Sequence, residues 1–291
     1  MQTLLDLNQR QLNRRLYRSK ATLDERLVAL KHVAIAYPSG NVTAVVFDKL
    51  FNVDLKALNQ NIMSVWKTLK PNEPEIEQCC FVTKAENPEA LARVEMFGGE
   101  FCGNATRSAV WLITQGHDYE GFIEVSGVSR PLKFIVKNRD VTVEMPLPEK
   151  GKLIEAADEG ILVHLDGITH LVVKADPRRM LEDLLKKNKY GFRSMPAVGV
   201  SSFDEATGKS MFCVWVKAVD TIFDESACGS GTCSIGIALA NKNKKSIEMD
   251  VIQPSGKSIR TRAEYDSQKG VIQSFIAGKV DVLHDGEFKP S

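Results

Sequence analysis

One short phrase occurs twice in this chain of 291 residues, and the repetition strongly constrains how the chain can fold. The first copy is Cys-Gly-Asn-Ala-Thr at residues 102–106, and the second is Cys-Gly-Ser-Gly-Thr at residues 228–232. Each copy runs into an apolar stretch that predicts a helix beginning at the phrase. The two cysteines are 126 positions apart (228 − 102), which is the length of a domain.

Two further landmarks recur at nearly the same offset. Gly40 and Gly167 each stand in a turn before an apolar strand pattern, 127 positions apart (167 − 40). Ser-Gly at 126–127 returns at 255–256, an offset of 129 (255 − 126). Three landmarks with one offset indicate an internal duplication rather than a short solenoid repeat.

The duplication predicts two similar domains in the α+β class. We expect a helical extension over residues 1–30, a first half over 31–148 and a second half over 149–278, with a strand at about 279–291 returning to the first half. Pro146 and Pro148 mark the border between the halves. Each half is rich in strand patterns and carries one long apolar helix, which predicts two pseudo-symmetric domains, each a sheet wrapped round a central helix.

The position of the two cysteines carries chemical information. A thiol at the first turn of a helix lies near the positive end of the helix dipole, which favours the reactive thiolate. The glycine that follows allows a ligand to approach the backbone closely, and the free N–H groups of the first turn can hold a carboxylate. Two such sites suggest that the two cysteines act together rather than as two unrelated helix caps.

These two motifs resemble those of the diaminopimelate epimerase-like family of cofactor-independent amino-acid racemases and epimerases, and the resemblance covers about residues 31–285. It implies an isomerase in which Cys102 and Cys228 flank Cα, one as thiolate and the other as thiol. The implied ligands of the substrate carboxylate are the N–H groups at the two helix starts: Gly103, Asn104, Gly229 and Ser230. No cofactor and no metal are expected.

The resemblance also suggests three further substrate contacts. Asn41 follows the turn glycine of the first hairpin, and Asp224 stands four residues before Cys228, where proline racemases place the aspartate that meets the substrate ammonium. His170 has two interpretations. It can act in the site, by orienting the substrate or tuning the Cys228 thiolate, or it can be a hydrogen-bonded structural residue.

Departures from the family pattern bear on the substrate. Diaminopimelate epimerases carry Glu-Arg where this chain has Val219 and Asp220, and the arginine holds the distal carboxylate. The replacement of this arginine by Asp220 argues against diaminopimelate as the substrate. The first motif resembles that of the histidine racemases of metallophore biosynthesis. Histidine racemisation is therefore the main expectation. The alternatives are a diaminopimelate epimerase, a proline- or hydroxyproline-type racemase and a phenazine-biosynthesis-like isomerase.

Composition excludes several other classes. The formal net charge of +1 gives no general attraction to nucleic acid, and no apolar run is long enough to span a membrane. Six cysteines in a chain of this length do not form a disulfide framework, and Cys79, Cys80 and Cys213 are predicted to be buried. We expect a cytoplasmic protein whose partner is a small-molecule amino-acid substrate. A homodimer is the expected assembly.

Overall fold

The computed structural model describes residues 30–47, 55–217 and 220–288. The helices predicted for residues 1–30 lie outside the described residues, except that Leu30 begins a strand. The chain divides into two compact units, one up to Val141 and from Lys279 onward, the other Thr142–Gly278. The sequence had placed the border between the halves after residue 148.

The first unit contains most of the elements before the border. In chain order they are β1 (Leu30–Tyr37), β2 (Thr43–Val46), α1 (Leu55–Leu69), β3 (Gln78–Thr83), β4 (Ala90–Met96), α2 (Gly103–Thr114), β5 (Tyr119–Val125) and β6 (Leu132–Lys137). The last strand of the described chain, β17 (Asp281–Phe288), also belongs to this unit.

The second unit contains the remaining elements, and β7 (Asp140–Glu144) spans the border. They are β8 (Ile154–Ala156), β9 (Ile161–Leu165), β10 (Ile168–Val173), α3 (Pro177–Lys186), a 3₁₀ helix (Lys189–Ser194), β11 (Ala197–Phe203), β12 (Ser210–Val216), β13 (Thr221–Asp224), α4 (Gly229–Asn243), β14 (Ile247–Ile252), β15 (Ser258–Asp266) and β16 (Gly270–Lys279).

The sheet of the first unit has the strand order β6-β5-β4-β3-β2-β1-β17. β2 and β3 run parallel, with Thr43 opposite Gln78, and α1 makes the crossover between them. β17 pairs antiparallel with β1. This register places the side chains of Thr43 and Gln78 next to each other at the start of their strands.

The second unit repeats this arrangement. One sheet has the order β13-β12-β11-β10-β9-β8, and another row contains β14, β15, β16 and β7. β10 and β11 run parallel with α3 in their crossover, and the register sets His170 opposite Gly199. His170 therefore stands in the second unit where Thr43 stands in the first, and Gly199 stands where Gln78 does.

Each unit is built around one helix that is buried on nearly every side. In α2 every residue except Trp111 is buried, and the helix packs against strands β1 to β6. In α4 ten residues are buried, against β9 to β11, β14 and β15. A helix that is apolar all round belongs in the interior of a protein. The predicted α+β fold with two pseudo-symmetric halves is confirmed.

Candidate active site

Cys102 is the N-cap of α2, so the helix begins where the first motif predicts it. Its backbone is extended (φ −136°, ψ 115°), and its sulfur accepts the N–H of Ala105 at 3.5 Å. The carbonyl of Cys102 accepts both the N–H of Thr106 at 3.0 Å and the hydroxyl of Thr106 at 2.8 Å. The motif threonine thus holds the cap in place, and Gly103 and Asn104 supply first-turn N–H groups that have no acceptor within the helix.

A row of polar groups continues behind the Cys102 thiol. The S–H donates to Gln78 Oε1 at 3.0 Å, and Gln78 Nε2 donates to Thr43 Oγ1 at 2.7 Å. The Thr43 hydroxyl in turn donates to the carbonyl oxygen of Asn41 at 3.1 Å. Gln78 is a functional candidate that the sequence did not reveal, because its proximity to Cys102 depends on the packing of α2 against β3.

The backbone carbonyl of Asn41 ends this row, and its side chain has one oxygen that accepts no hydrogen bond. Its Nδ2 donates to Glu77 Oε2 at 2.9 Å, whereas its Oδ1 is buried without a hydrogen-bond partner. The residue is only 5% exposed. A buried acceptor without a donor costs stability, so this oxygen is suited to receive an N–H from a ligand.

Arg107, one turn further along α2, is completely buried. Its Nη1 donates to Asn104 Oδ1 at 3.2 Å, and its Nη2 donates to Ser39 Oγ at 3.4 Å and to the carbonyl of Lys279 at 3.2 Å. The guanidinium thus connects the first turn of α2 to the turn that carries Asn41. We call Asn41, Thr43, Gln78, Cys102, Asn104 and Arg107 the first half-site.

Cys228 is the N-cap of α4 in the same manner. Its backbone is extended (φ −122°, ψ 109°), and its sulfur accepts the N–H of Gly231 at 3.3 Å. The N–H of Cys228 donates to Gln253 Oε1 at 3.0 Å, and Gln253 Nε2 donates to Thr232 Oγ1 at 3.0 Å. Gln253 is buried and was not singled out in the sequence; it fixes the cap from the neighbouring strand end.

His170 lies behind Cys228 in a row of hydroxyl groups. Its Nε2 is 2.9 Å from Ser230 Oγ, and its Nδ1 is 3.0 Å from Ser201 Oγ. Ser230 Oγ is 3.5 Å from the Cys228 sulfur. Complete burial lowers the pKa of His170 to about 3, so the imidazole is neutral near pH 7. We call Ser201, His170, Ser230, Cys228 and Gln253 the second half-site.

Glycine makes room for this row. A Cβ atom at Gly199 would stand 2.2 Å from Nδ1 and Cε1 of His170, so only glycine fits beneath the imidazole. A Cβ atom at Gly231, where the first motif has Ala105, would stand 2.9 Å from Ser201 Oγ and closer still to the Phe212 ring. Gly199 therefore makes room for the imidazole, and Gly231 makes room for the Phe212 ring and the Ser201 hydroxyl.

Asp224 and Asp220 lie away from the second half-site. Asp224 is opposite Cys213 in the β12–β13 pairing, and opposed side chains share a face of the sheet. Cys213 packs in the cluster beneath α3, whereas Cys228 packs with Phe212 on the other face. Asp224 Oδ2 accepts from Arg178 at 2.8 Å, and the structure does not bring it together with Cys228.

Asp220 is engaged near the same face, where its Oδ1 accepts the indole N–H of Trp215 at 2.9 Å. Trp215 belongs to the cluster beneath α3. Val219, the other half of the substrate-related pair, lies outside the described residues. The remaining cysteines behave as expected, since Cys79, Cys80 and Cys213 are buried and free.

Comparison with known proteins gives the class of this chain. It resembles a hydroxyproline epimerase from Agrobacterium vitis with a TM-score of 0.58 at 13% identity, covering 89% of this chain and 92% of that one. It also resembles a phenazine biosynthesis protein of the PhzF family from Bacillus anthracis, with a TM-score of 0.57 at 14% identity over 88% and 98% of the two chains. The chain thus shares the fold of these two proteins.

Sequence comparison is more specific. A family model described as the histidine racemase CntK N-terminal domain matches residues 30–288, and the chain belongs to this family. A histidine racemase from Fusobacterium nucleatum is 26% identical over 285 residues, covering 91% of this chain and 99% of the relative. A histidine racemase from Staphylococcus aureus is 24% identical over 266 residues, covering 86% and 94%. The protein is an isomerase of the amino-acid racemase and epimerase class.

No helix in the described part of the chain is long and apolar enough to cross a membrane.

Proposed function

We propose that this protein racemises free histidine without a cofactor, with Cys102 and Cys228 as bases on opposite faces of Cα. The observation that carries the proposal is that both cysteines are helix N-caps of the same geometry, each with its sulfur accepting an N–H three residues ahead. Those N–H groups and the helix dipole favour a thiolate. The similarity to histidine racemases supports histidine as the substrate.

The reaction balances with these groups alone. One thiolate takes the α-proton and becomes a thiol, and the electron pair of the C–H bond moves into the carboxylate as an enediolate. The opposite thiol then gives its proton to the other face of Cα and becomes a thiolate. Since no electron sink is invoked, the enediolate charge must be stabilised electrostatically, and the first-turn N–H groups of Gly103, Asn104, Gly229 and Ser230 are the proposed donors.

The row behind Cys228 supports the change of protonation state at that thiol. When Cys228 is a thiol, it can donate to Ser230, Ser230 to His170 Nε2, and His170 Nδ1 to Ser201. When Cys228 is a thiolate, every hydrogen bond in this row can reverse, with a change of His170 tautomer. His170 acts on this account as a positioning residue, because it is buried and reaches the thiol only through Ser230.

Two further predicted contacts have different support. Asn41 is retained as a substrate ligand, because its buried Oδ1 lacks a donor. Asp224 is left out, because its carboxylate pairs with Arg178 and lies on the face of the sheet opposite to Cys228. The homodimer, the cytoplasmic location and the link to metallophore biosynthesis stay predictions.

Exchange of the α-proton in D₂O tests the proposal, with chiral chromatography to follow inversion. We expect L-histidine to exchange and racemise without pyridoxal phosphate and after dialysis against a chelator, much faster than LL-diaminopimelate or proline. A buried distal carboxylate would need a paired cation, and the epimerase arginine is replaced here by Asp220.

The Cys102→Ala, Cys228→Ala double variant is the background control for this assay, because it retains the binding surfaces but neither base. Preferential turnover of diaminopimelate or proline would contradict the histidine proposal and support the corresponding alternative activity. Exchange of histidine that persists in the double variant would remove the cysteines from the mechanism.

A further inference from the structure

The guanidinium of Arg107 is a buried positive charge to which the two-thiol chemistry assigns no task. It is completely buried, and its three hydrogen bonds go to an amide oxygen, a hydroxyl and a backbone carbonyl, all of them neutral. Its Nε has no partner, and none of the ion pairs in the described part of the chain includes it. An unbalanced buried charge is costly, so proteins retain one only where an anion offsets it.

Two acidic groups interact with this charge. Burial lowers the pKa of Arg107 to about 10, while attraction to Asp140 and to the ionised form of Cys102 opposes that change. Asp140 does not approach within ion-pair distance of the guanidinium, and its own Oδ1 is buried without a hydrogen-bond partner. Arg107 stays charged near neutral pH. Its hydrogen bond to Asn104, two residues after Cys102, holds the guanidinium at the end of α2 that Cys102 caps.

We infer that Arg107 is a positioning residue whose buried charge keeps Cys102 as the thiolate of the resting enzyme. The inference deepens the proposed function and rests on it, since a racemase of this type needs one thiolate and one thiol before substrate arrives. Arg107 also holds Asn104 Oδ1, which fixes the amide beside the cap. The same charge can attract the substrate carboxylate to this end of α2.

The second half-site is built differently at the equivalent position. Cys233, five residues after Cys228, replaces Arg107, and its sulfur is 3.1 Å from Ser274 Oγ. Burial raises the pKa of Cys233 to about 12, so it is a neutral thiol. His170 is neutral as well, because burial lowers its pKa to about 3. The repeat therefore keeps the cap and replaces the fixed charge.

Asp140 shares the attraction of the Arg107 charge with Cys102 and offsets part of that charge. The neighbouring cysteines add no further charge. Cys80 on β3 interacts with Cys102, but burial raises its pKa well above the usual value, so it is neutral. Cys79 is neutral for the same reason, with a pKa of about 12. Glu124 on β5 accepts backbone N–H groups of residues 86 and 87 and lies 3.8 Å from Arg93.

Gln78 can serve either state of the thiol. As assigned, its Oε1 accepts from the S–H of Cys102. The oxygen and nitrogen of an amide are assigned from the hydrogen-bond network, so the turned amide is equally open to it. In that orientation Nε2 donates to the thiolate, and the Thr43 hydroxyl donates to Oε1.

Alkylation by iodoacetamide tests the inference on resting enzyme, without substrate. Peptide mass spectrometry gives the labelling rate of each cysteine as a function of pH, which separates thiolate fraction from exposure. In the wild type we expect the midpoint for Cys102 to lie below that for Cys228. Arg107→Met should raise the Cys102 midpoint by about one pH unit or more, a tenfold change in thiolate fraction at fixed pH. Arg107→Lys should restore most of the difference.

The matched control is Arg93→Met, which removes a charged arginine of the same unit that pairs with Glu95 instead. It should leave the Cys102 midpoint in place. A folded Arg107→Met protein with an unchanged midpoint would overturn the inference and leave the racemase proposal standing, since no turnover is measured.

If Arg107→Met does not fold, thiolate absorbance in the ultraviolet decides. Cys228→Ser should show a thiolate at neutral pH and Cys102→Ser should not. A thiolate seen only in Cys102→Ser contradicts the inference.

Discussion

The two half-sites share one cap and differ in what stands behind it. In both, a cysteine begins a buried helix, its sulfur accepts the N–H three residues ahead, and a threonine at the fifth motif position is tied to the cap. Behind Cys102 lie an amide and a buried guanidinium, whereas behind Cys228 lies a neutral imidazole between two hydroxyls. The shared part is what the proposed proton transfer requires, and the different part can set the resting state.

In the two equivalent pairs of parallel strands, the larger side chain is on opposite strands. In the first unit a small residue on β2, Thr43, faces a long one on β3, Gln78. In the second unit the large residue, His170, is on the first strand and Gly199 is on the second. Either arrangement fills the space beneath the cap. Duplicated halves can therefore keep their packing while the chemistry beside each thiol diverges.

The largest expected effect comes from removing one thiol at a time. Cys102→Ala and Cys228→Ala should each lower racemisation by about a thousandfold or more, because one face of Cα loses its base. Each variant should still exchange the α-proton of one enantiomer in D₂O, and the two variants should prefer opposite enantiomers. Chiral analysis with mass detection of deuterium measures both quantities.

Cys213→Ala is the control for this pair, since Cys213 is a buried strand cysteine on the other face of the sheet. Two single variants that exchange the same enantiomer would show that the thiols do not serve opposite faces.

A smaller effect is expected at the glycine beneath His170. Gly199→Ala places a Cβ atom 2.2 Å from a buried ring, so the imidazole must shift. We expect a loss of about 1–3 kcal/mol in the free energy of unfolding, measured with urea. Turnover should fall as well, because the contact between His170 and Ser230 is disturbed.

Gly98→Ala is matched to this variant, since its Cβ would meet only the flexible end of the exposed Glu100 side chain. Equal stability of the Gly199 and Gly98 variants would mean that the imidazole is not confined as described.

The effect that is smallest at neutral pH concerns acid stability, and it grows as the pH falls. His170 has a pKa of about 3 when folded, below its unfolded value of about 6.5. Between these values the unfolded state binds the extra proton, so stability falls as pH decreases from about 6.5 toward 3. The slope contributed by this residue approaches about 1.4 kcal/mol per pH unit.

Urea titrations of the wild type and of His170→Gln at several pH values measure this contribution. The variant should lose less stability on acidification. His164→Gln is the control, because that imidazole is partly exposed and hydrogen-bonded to Thr169. Parallel pH curves for the wild type and His170→Gln would contradict the buried neutral imidazole.

The sequence predicted the elements that carry strong local signals. The two motif helices begin at Cys102 and Cys228 as expected. The short strands β8 and β13 and the 3₁₀ helix were not predicted, since three or four residues of strand carry little periodicity.

What the sequence could not supply was the pairing of distant residues. Gln78 is 24 positions from Cys102, and the packing of α2 against β3 brings its side chain to the thiol. Asp224 is four positions from Cys228, yet the β12–β13 register turns it to the opposite face. Distance along the chain is thus a poor guide to which polar residue reaches a helix cap.

The row of Ser201, His170 and Ser230 has one more consequence. Its three groups are neutral, and their hydrogen bonds can reverse when the hydroxyls rotate and the imidazole exchanges a proton between its two nitrogens, while the net charge of the row stays at zero. Bulk water does the same around a thiol in solution, but it does so by reorienting many loosely held molecules. Here the response is confined to a few fixed groups, so less free energy is needed to rearrange the surroundings. In the second half-site, three fixed polar groups thus take the place of the water molecules that would reorient around a thiol in solution.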